Sequence, residues 1–167
     1  MTTPAPRAVE RVRPPAAPFD LWNRSVRWML SSPRRSRRIG AHLLILHVRG
    51  RRTGRVIDVP VAYRPQPDGR LLVLTSSTWR LNLRDRTDVE VTLRGVRRPA
   101  AAELVEEPTA VAAVYARLID EVGPRRAVRQ LGVRVNVGRT PTRDELVEAV
   151  VRDHLAVVLL RVEDPGS

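Results

Sequence analysis

Residues 42–63 read HLLILHVRGRRTGRVIDVPVAY, and the rest of the chain is organised around them. Two apolar runs flank a short link, Arg49-Gly50-Arg51-Arg52-Thr53-Gly54-Arg55, which holds four arginines and two glycines. Apolar runs bounded by glycine read as strands, and a short glycine-containing link between them reads as a hairpin. Glycine lets the backbone bend and expose its N–H groups, and guanidinium forks supply planar donors that match phosphate or carboxylate. The spacing therefore predicts a β-hairpin whose tip receives an anionic ligand.

Composition sets the frame around that hairpin. A chain of 167 residues with 43% apolar content suits one domain with a real core, and 4% aromatics means that Val, Leu, Ile and Ala must build it. The absence of cysteine excludes disulfides, thiolate catalysis and Cys-ligated zinc. All 30 basic residues are arginine, which excludes lysine Schiff-base chemistry and a P-loop. The bias towards arginine, alanine, valine and proline fits a GC-rich genome, so arginine density alone is discounted. A net charge of +12 favours an anionic partner, whether nucleic acid, membrane surface or polyanionic cofactor. The proline-rich start lacks the apolar segment of a signal peptide, and the longest apolar runs are too short to span a bilayer, which together predict a cytoplasmic protein.

Upstream of the hairpin, residues 1–18 carry five prolines among small and charged residues and read as a disordered leader. Phe19–Leu30 has Phe19, Trp22, Val26 and Met29 at helical spacing, and Pro33 and the run Arg34–Arg38 follow it. That pairing of an aromatic face with a basic run suits either packing on the domain or peripheral contact with the inner face of an anionic membrane. Residues 39–167 make up the remaining domain.

Downstream, Pro65-Gln66-Pro67-Asp68-Gly69 is a turn, which makes Arg70–Ser76 a third strand paired with the second. Trp79–Arg84 reads as one or two helical turns. Val89, Val91 and Leu93 alternate with polar residues as a half-buried strand, and a fifth strand runs from about Arg97 to Glu106. Val111, Val114, Tyr115, Leu118, Ile119 and Val122 lie on one helical face that Gly123-Pro124 ends, and a shorter helix covers Arg125–Leu131. Thr142–Glu145 is a capping box for a helix reaching about Asp153. Leu155–Val162 is apolar at nearly every position, which predicts a central strand. The order predicts a small, mainly antiparallel barrel decorated by helices.

No conventional catalytic set is present. His42, His47 and His154 lack metal-ligand spacing, and each reads best as a packed or edge histidine, so no metal site is assigned. His42 and His47 point to opposite faces of one strand. There is no GxSxG nucleophile motif, and no catalytic residue is assigned; any redox chemistry here would come from a cofactor.

Three blocks in order carry a resemblance: Gly50-Arg51-Arg52-Thr53-Gly54, then Pro60-Val61, then Trp79 with Asn82-Leu83. They resemble the deazaflavin-dependent nitroreductase family, over roughly Phe19 to Gly95. The resemblance implies an α+β fold, mainly antiparallel: a split β-barrel of the pyridoxamine-phosphate-oxidase kind, of about six strands with peripheral helices. It also implies binding of the deazaflavin coenzyme F-420, with hydride passed from the reduced form to a quinone, nitro compound or similar small acceptor. FMN is the alternative cofactor on the same fold. The cofactor residues so implied are Arg51, Arg52, Thr53, Gly54 and Arg55 on the anionic tail, Pro60 and Val61 near the ring, and Ser76, Ser77, Trp79 and Asn82 beside them. Ile57 stands where many members carry a basic residue, and Ser76-Ser77-Thr78 replaces a longer loop, so Arg51, Arg52 and Arg55 must hold most of the tail's charge. A monomer or a homodimer fits this fold.

A different class remains open: a basic module that docks on anionic membrane or nucleic acid through Phe19–Arg38. The lack of an aromatic stacking set or a helix-turn-helix pattern argues against nucleic acid. The oxidoreductase reading is the stronger, because the arginine-dense tip coincides with a family motif.

Overall fold

In the computed structural model the described residues are 7–12 and 42–164. The expected helix at Phe19–Leu30 and the Arg34–Arg38 run lie outside them. The described elements are β1 (Val9–Arg11), β2 (Leu43–Arg49), β3 (Val56–Ala62), β4 (Arg64–Pro65), β5 (Leu71–Thr75), a 3-10 helix (Thr78–Leu83), β6 (Asp88–Leu93), β7 (Val96–Val105), α1 (Pro108–Val122), α2 (Pro124–Leu131), β8 (Val133–Val135), α3 (Arg143–Asp153) and β9 (Ala156–Val162). They fall into two compact units, one of residues 42–104 with 157–164 and one of residues 7–12 with 105–156.

The first of these units holds the sheet, in the order β3-β2-β6-β7-β9-β5-β4. β2 pairs antiparallel with β3 and β6, β6 with β7, and β4 with β5. β3 and β4 are the outermost strands of that order, yet only Tyr63 separates them in the chain. Two edges joined by one residue force the sheet to curl on itself, which makes it a barrel. Tyr63 sits at the corner, 4% exposed, its N–H donating to the His42 carbonyl at 2.8 Å and its ring edge-on to His42 at 5.7 Å.

Period-two alternation sorts each strand into a core face and an outer face. Leu44, Leu46 and Val48 of β2 join Val61, Val73, Val89, Val91, Ala100, Ala102, Val158 and Leu160 in one cluster. With so few aromatics, aliphatic side chains fill the interior, as composition requires. Ile45 and His47 point the other way. β9 lies inside the sheet between β7 and β5, as its continuous apolar run predicts.

The third strand departs from expectation. β5 pairs with β4 and not with β3, in the register Arg64↔Leu72 and Pro65↔Leu71. The turn at Pro67-Asp68-Gly69 forms as read, with Gly69 at φ 82, but the chain has already left β2 at the Tyr63 corner.

In the second unit, Glu107 caps α1, accepting from the N–H groups of Thr109 and Ala110, and Gly123 at φ 81 ends it. Thr142 and Glu145 form the expected reciprocal capping box on α3. The leader expectation needs correction at Val9–Arg11, which forms β1 and pairs antiparallel with β8. Val9 is 2% exposed, the Arg11 N–H donates to Asp153, and Arg152 donates to the Val9 carbonyl. Three residues are too few to show alternation, and the contacts that order them lie more than a hundred positions away. Among the described residues, no helix is long and apolar enough to cross a membrane, and no group of His, Asp or Glu is arranged to hold a metal.

Candidate functional site

The link between β2 and β3 closes as a tight, hydrogen-bonded turn. The Gly50 N–H donates to the Arg55 carbonyl at 2.8 Å and the Gly54 N–H to the Gly50 carbonyl at 2.9 Å. The Arg55 N–H meets the Thr53 hydroxyl at 3.3 Å, and Arg49 donates to the Gly54 carbonyl at 3.1 Å. Both glycines suit the turn. A Cβ on Gly50 would come within 3.1 Å of the Thr53 Oγ1 and 3.4 Å of the Arg55 carbonyl, and Gly54 has φ +66.

This bonding leaves a defined set of donors unspent. The Arg51 N–H is taken by Asn82 Oδ1 at 3.0 Å. The neighbouring N–H groups of Arg52 and Thr53 have no partner among the described residues, and no carboxylate there pairs with Arg51, Arg52 or Arg55. All of Arg51–Arg55 is exposed. Two successive backbone donors beside three cationic side chains are groups that could hold an oxyanion.

The other expected residues are placed as follows. Pro60 lies opposite Ile45 on the outer face of the hairpin. Val61, opposite Leu44, points into the core cluster, so its side chain is spent on packing and only its backbone is open to a ligand. Arg55 and Pro60 are separated by roughly 17 Å of extended strand, at about 3.3 Å per step, so a molecule engaging both must be elongated. Ser77 precedes the 3-10 helix without a side-chain capping bond, Ser76 beside it is half-buried, and Trp79 packs partly exposed on the core. Asn82 joins two of the three motif blocks: besides receiving the Arg51 N–H, it donates from Nδ2 to the Trp79 carbonyl at 2.9 Å.

One feature of the outer face is not visible in the sequence. His47 is 9% exposed; its Nδ1 bonds the Asp58 carboxylate at 2.7 Å and its Nε2 the Thr92 hydroxyl at 2.8 Å. It is a packed histidine, as read, but one tied to β3 and β6. Beside it, Glu90 pairs with Arg97, whose hydrogen bond holds the Glu90 carboxyl below its ordinary range. Asp58 lies opposite His47 across the hairpin, a neighbour that spacing could have suggested; Thr92 depends on the β2–β6 register and could not be found that way.

The fold is a small split barrel, with an exposed, arginine-dense turn on its first hairpin. The family described as F420H(2)-dependent quinone reductase matches residues 26–138, and this chain belongs to it. The match spans all three motif blocks, so the resemblance read from them is borne out. Among solved structures, an F420-H2 dependent reductase is 16% identical, with 71% of this chain and 93% of that chain covered and a TM-score of 0.42. An FMN-binding protein related to pyridoxamine 5'-phosphate oxidase, from Nostoc punctiforme PCC 73102, is 17% identical, with coverage of 87% and 81% and a TM-score of 0.48. A chain described as a domain-swapped dimer is 14% identical, with coverage of 87% and 100% and a TM-score of 0.45. No curated protein matches the sequence.

Proposed function

We propose that this protein is a deazaflavin-dependent reductase that takes coenzyme F-420 at the β2–β3 hairpin and reduces a quinone-type acceptor. The observation that carries the reading is the Gly50–Arg55 turn, where the Arg52 and Thr53 N–H groups and the Arg51, Arg52 and Arg55 side chains have no partner among the described residues, within the stretch that matches the family. When bound, the reduced deazaflavin supplies a hydride. The chain's own contribution is to hold and orient. Arg51, Arg52 and Arg55 attract the anionic tail, and the Thr53 hydroxyl, already accepting from the Arg55 N–H, fixes the turn's shape. The β3 backbone around Pro60 and Val61 offers an apolar wall for a planar ring, with Ser76, Ser77 and Trp79 as the remaining ring-side candidates. Ile57 brings no charge to the start of β3, so the guanidiniums of the tip carry the electrostatic part.

Titration of the wild type and of Arg51→Ala/Arg52→Ala with coenzyme F-420, read by its fluorescence, tests this. Each exposed charged contact is worth up to about 1 kcal/mol, so the double variant should bind roughly ten- to thirtyfold more weakly, and the gap should narrow as salt screens the cradle. Unchanged affinity in the double variant removes the turn from the mechanism.

A further inference from the structure

We infer that Asn82 is a positioning residue, which joins the arginine turn to the Thr78–Leu83 helix and shapes the anion cradle without touching the ligand. The inference rests on the cradle reading above. A carboxamide has one acceptor oxygen and an N–H donor pair, and both ends of this one are engaged within the protein. Oδ1 receives the Arg51 N–H across 31 positions of sequence at 3.0 Å, and Nδ2 donates back to the Trp79 carbonyl at 2.9 Å. Asn82 is half-buried, whereas the tip it holds is fully exposed.

The consequence lies in which donors the tip presents. Gly50, Arg51, Gly54 and Arg55 all spend their N–H groups inside the protein, and Arg51 alone among them spends its N–H on another segment of the chain. Remove Asn82 and the Arg51 peptide is free to rotate, which unsettles the neighbouring Arg52 and Thr53 donors that face the anion. The same amide ties the Trp79 carbonyl to the turn, so the cradle and the Trp79 segment are fixed relative to each other before any ligand arrives. That is preorganisation: the ordering cost of binding is met in the free protein.

Amide hydrogen exchange on the free wild-type protein tests the strut directly. Arg51 should exchange at least tenfold more slowly than Arg52 and Thr53 despite sharing an exposed turn, and equal rates across the three overturn the inference. With coenzyme F-420 as probe, Asn82→Ala should weaken binding about five- to tenfold, the worth of one such hydrogen bond, with the loss in KM for the coenzyme and not in kcat. An Asn82→Ala variant that binds coenzyme F-420 like the wild type overturns the inference. If instead the double arginine variant alone retains full affinity, the cradle reading fails while the exchange rates still decide the role of Asn82.

Discussion

His47 shows what a single side chain contributes to this hairpin. With Nδ1 bonded to the Asp58 carboxylate and Nε2 to the Thr92 hydroxyl, one imidazole fastens β2 to both of its neighbours. Removing one partner of a buried donor costs more than the bond itself returns, because the stranded group loses its solvation. Asp58→Ala should therefore destabilise the protein by about 1–3 kcal/mol in urea unfolding, while Asp58→Asn, which keeps an acceptor, should recover much of the loss. At this scale the sequence was informative about residue type and silent about partners. The turn glycines, the arginine tip and the packed histidine could be read from type and spacing. That Val61 turns inward, that Asn82 reaches Arg51, and that Thr92 meets His47 all depend on register, which no local pattern encodes.

Helices were the most legible elements, because their signals are local: periodicity, a glycine stop, a capping box. The α3 cap also makes a pH prediction. Glu145 accepts from Arg139 and from the Thr142 N–H, and the Arg139 hydrogen bond, the larger cause, draws its pKa from the ordinary 4.5 to about 2. A depressed carboxylate stabilises the fold above its unfolded pKa and loses that contribution as pH falls through the folded one. The Tm advantage of the wild type over Glu145→Gln should thus be full at pH 6, shrink below pH 4.5 and vanish near pH 2, as followed by circular dichroism. Short strands were the least legible elements. β1 and β8 are three residues each and are held by one another and, for β1, by Arg152 and Asp153, so nothing within either segment announces it.

At the scale of the sheet, closure follows from one covalent fact, that Tyr63 alone separates the two outermost strands. Every strand then faces a common interior, and a deletion there is felt around the ring. Leu46, 0% exposed within the core cluster, is a fair probe: Leu46→Ala should cost about 2–5 kcal/mol of unfolding free energy, measured by denaturant titration. The barrel itself could be anticipated from the hairpin and the family motifs. The pairing of β5 with β4 could not, because strand order depends on where the chain turns the corner, and a buried tyrosine after a strand carries no such label.

β9 is the last of the described strands in sequence yet lies between β7 and β5. On the ribosome, then, β4 and β5 can hang from β3 through Tyr63 while the slot beside β7 stays vacant until Ala156–Val162 has emerged. Until that moment the nascent protein carries two unpaired strand edges, the kind of surface that recruits chaperones or neighbouring chains. Emergence of Ala156–Val162 sets a keystone, and a truncation before residue 156 leaves an arch without one.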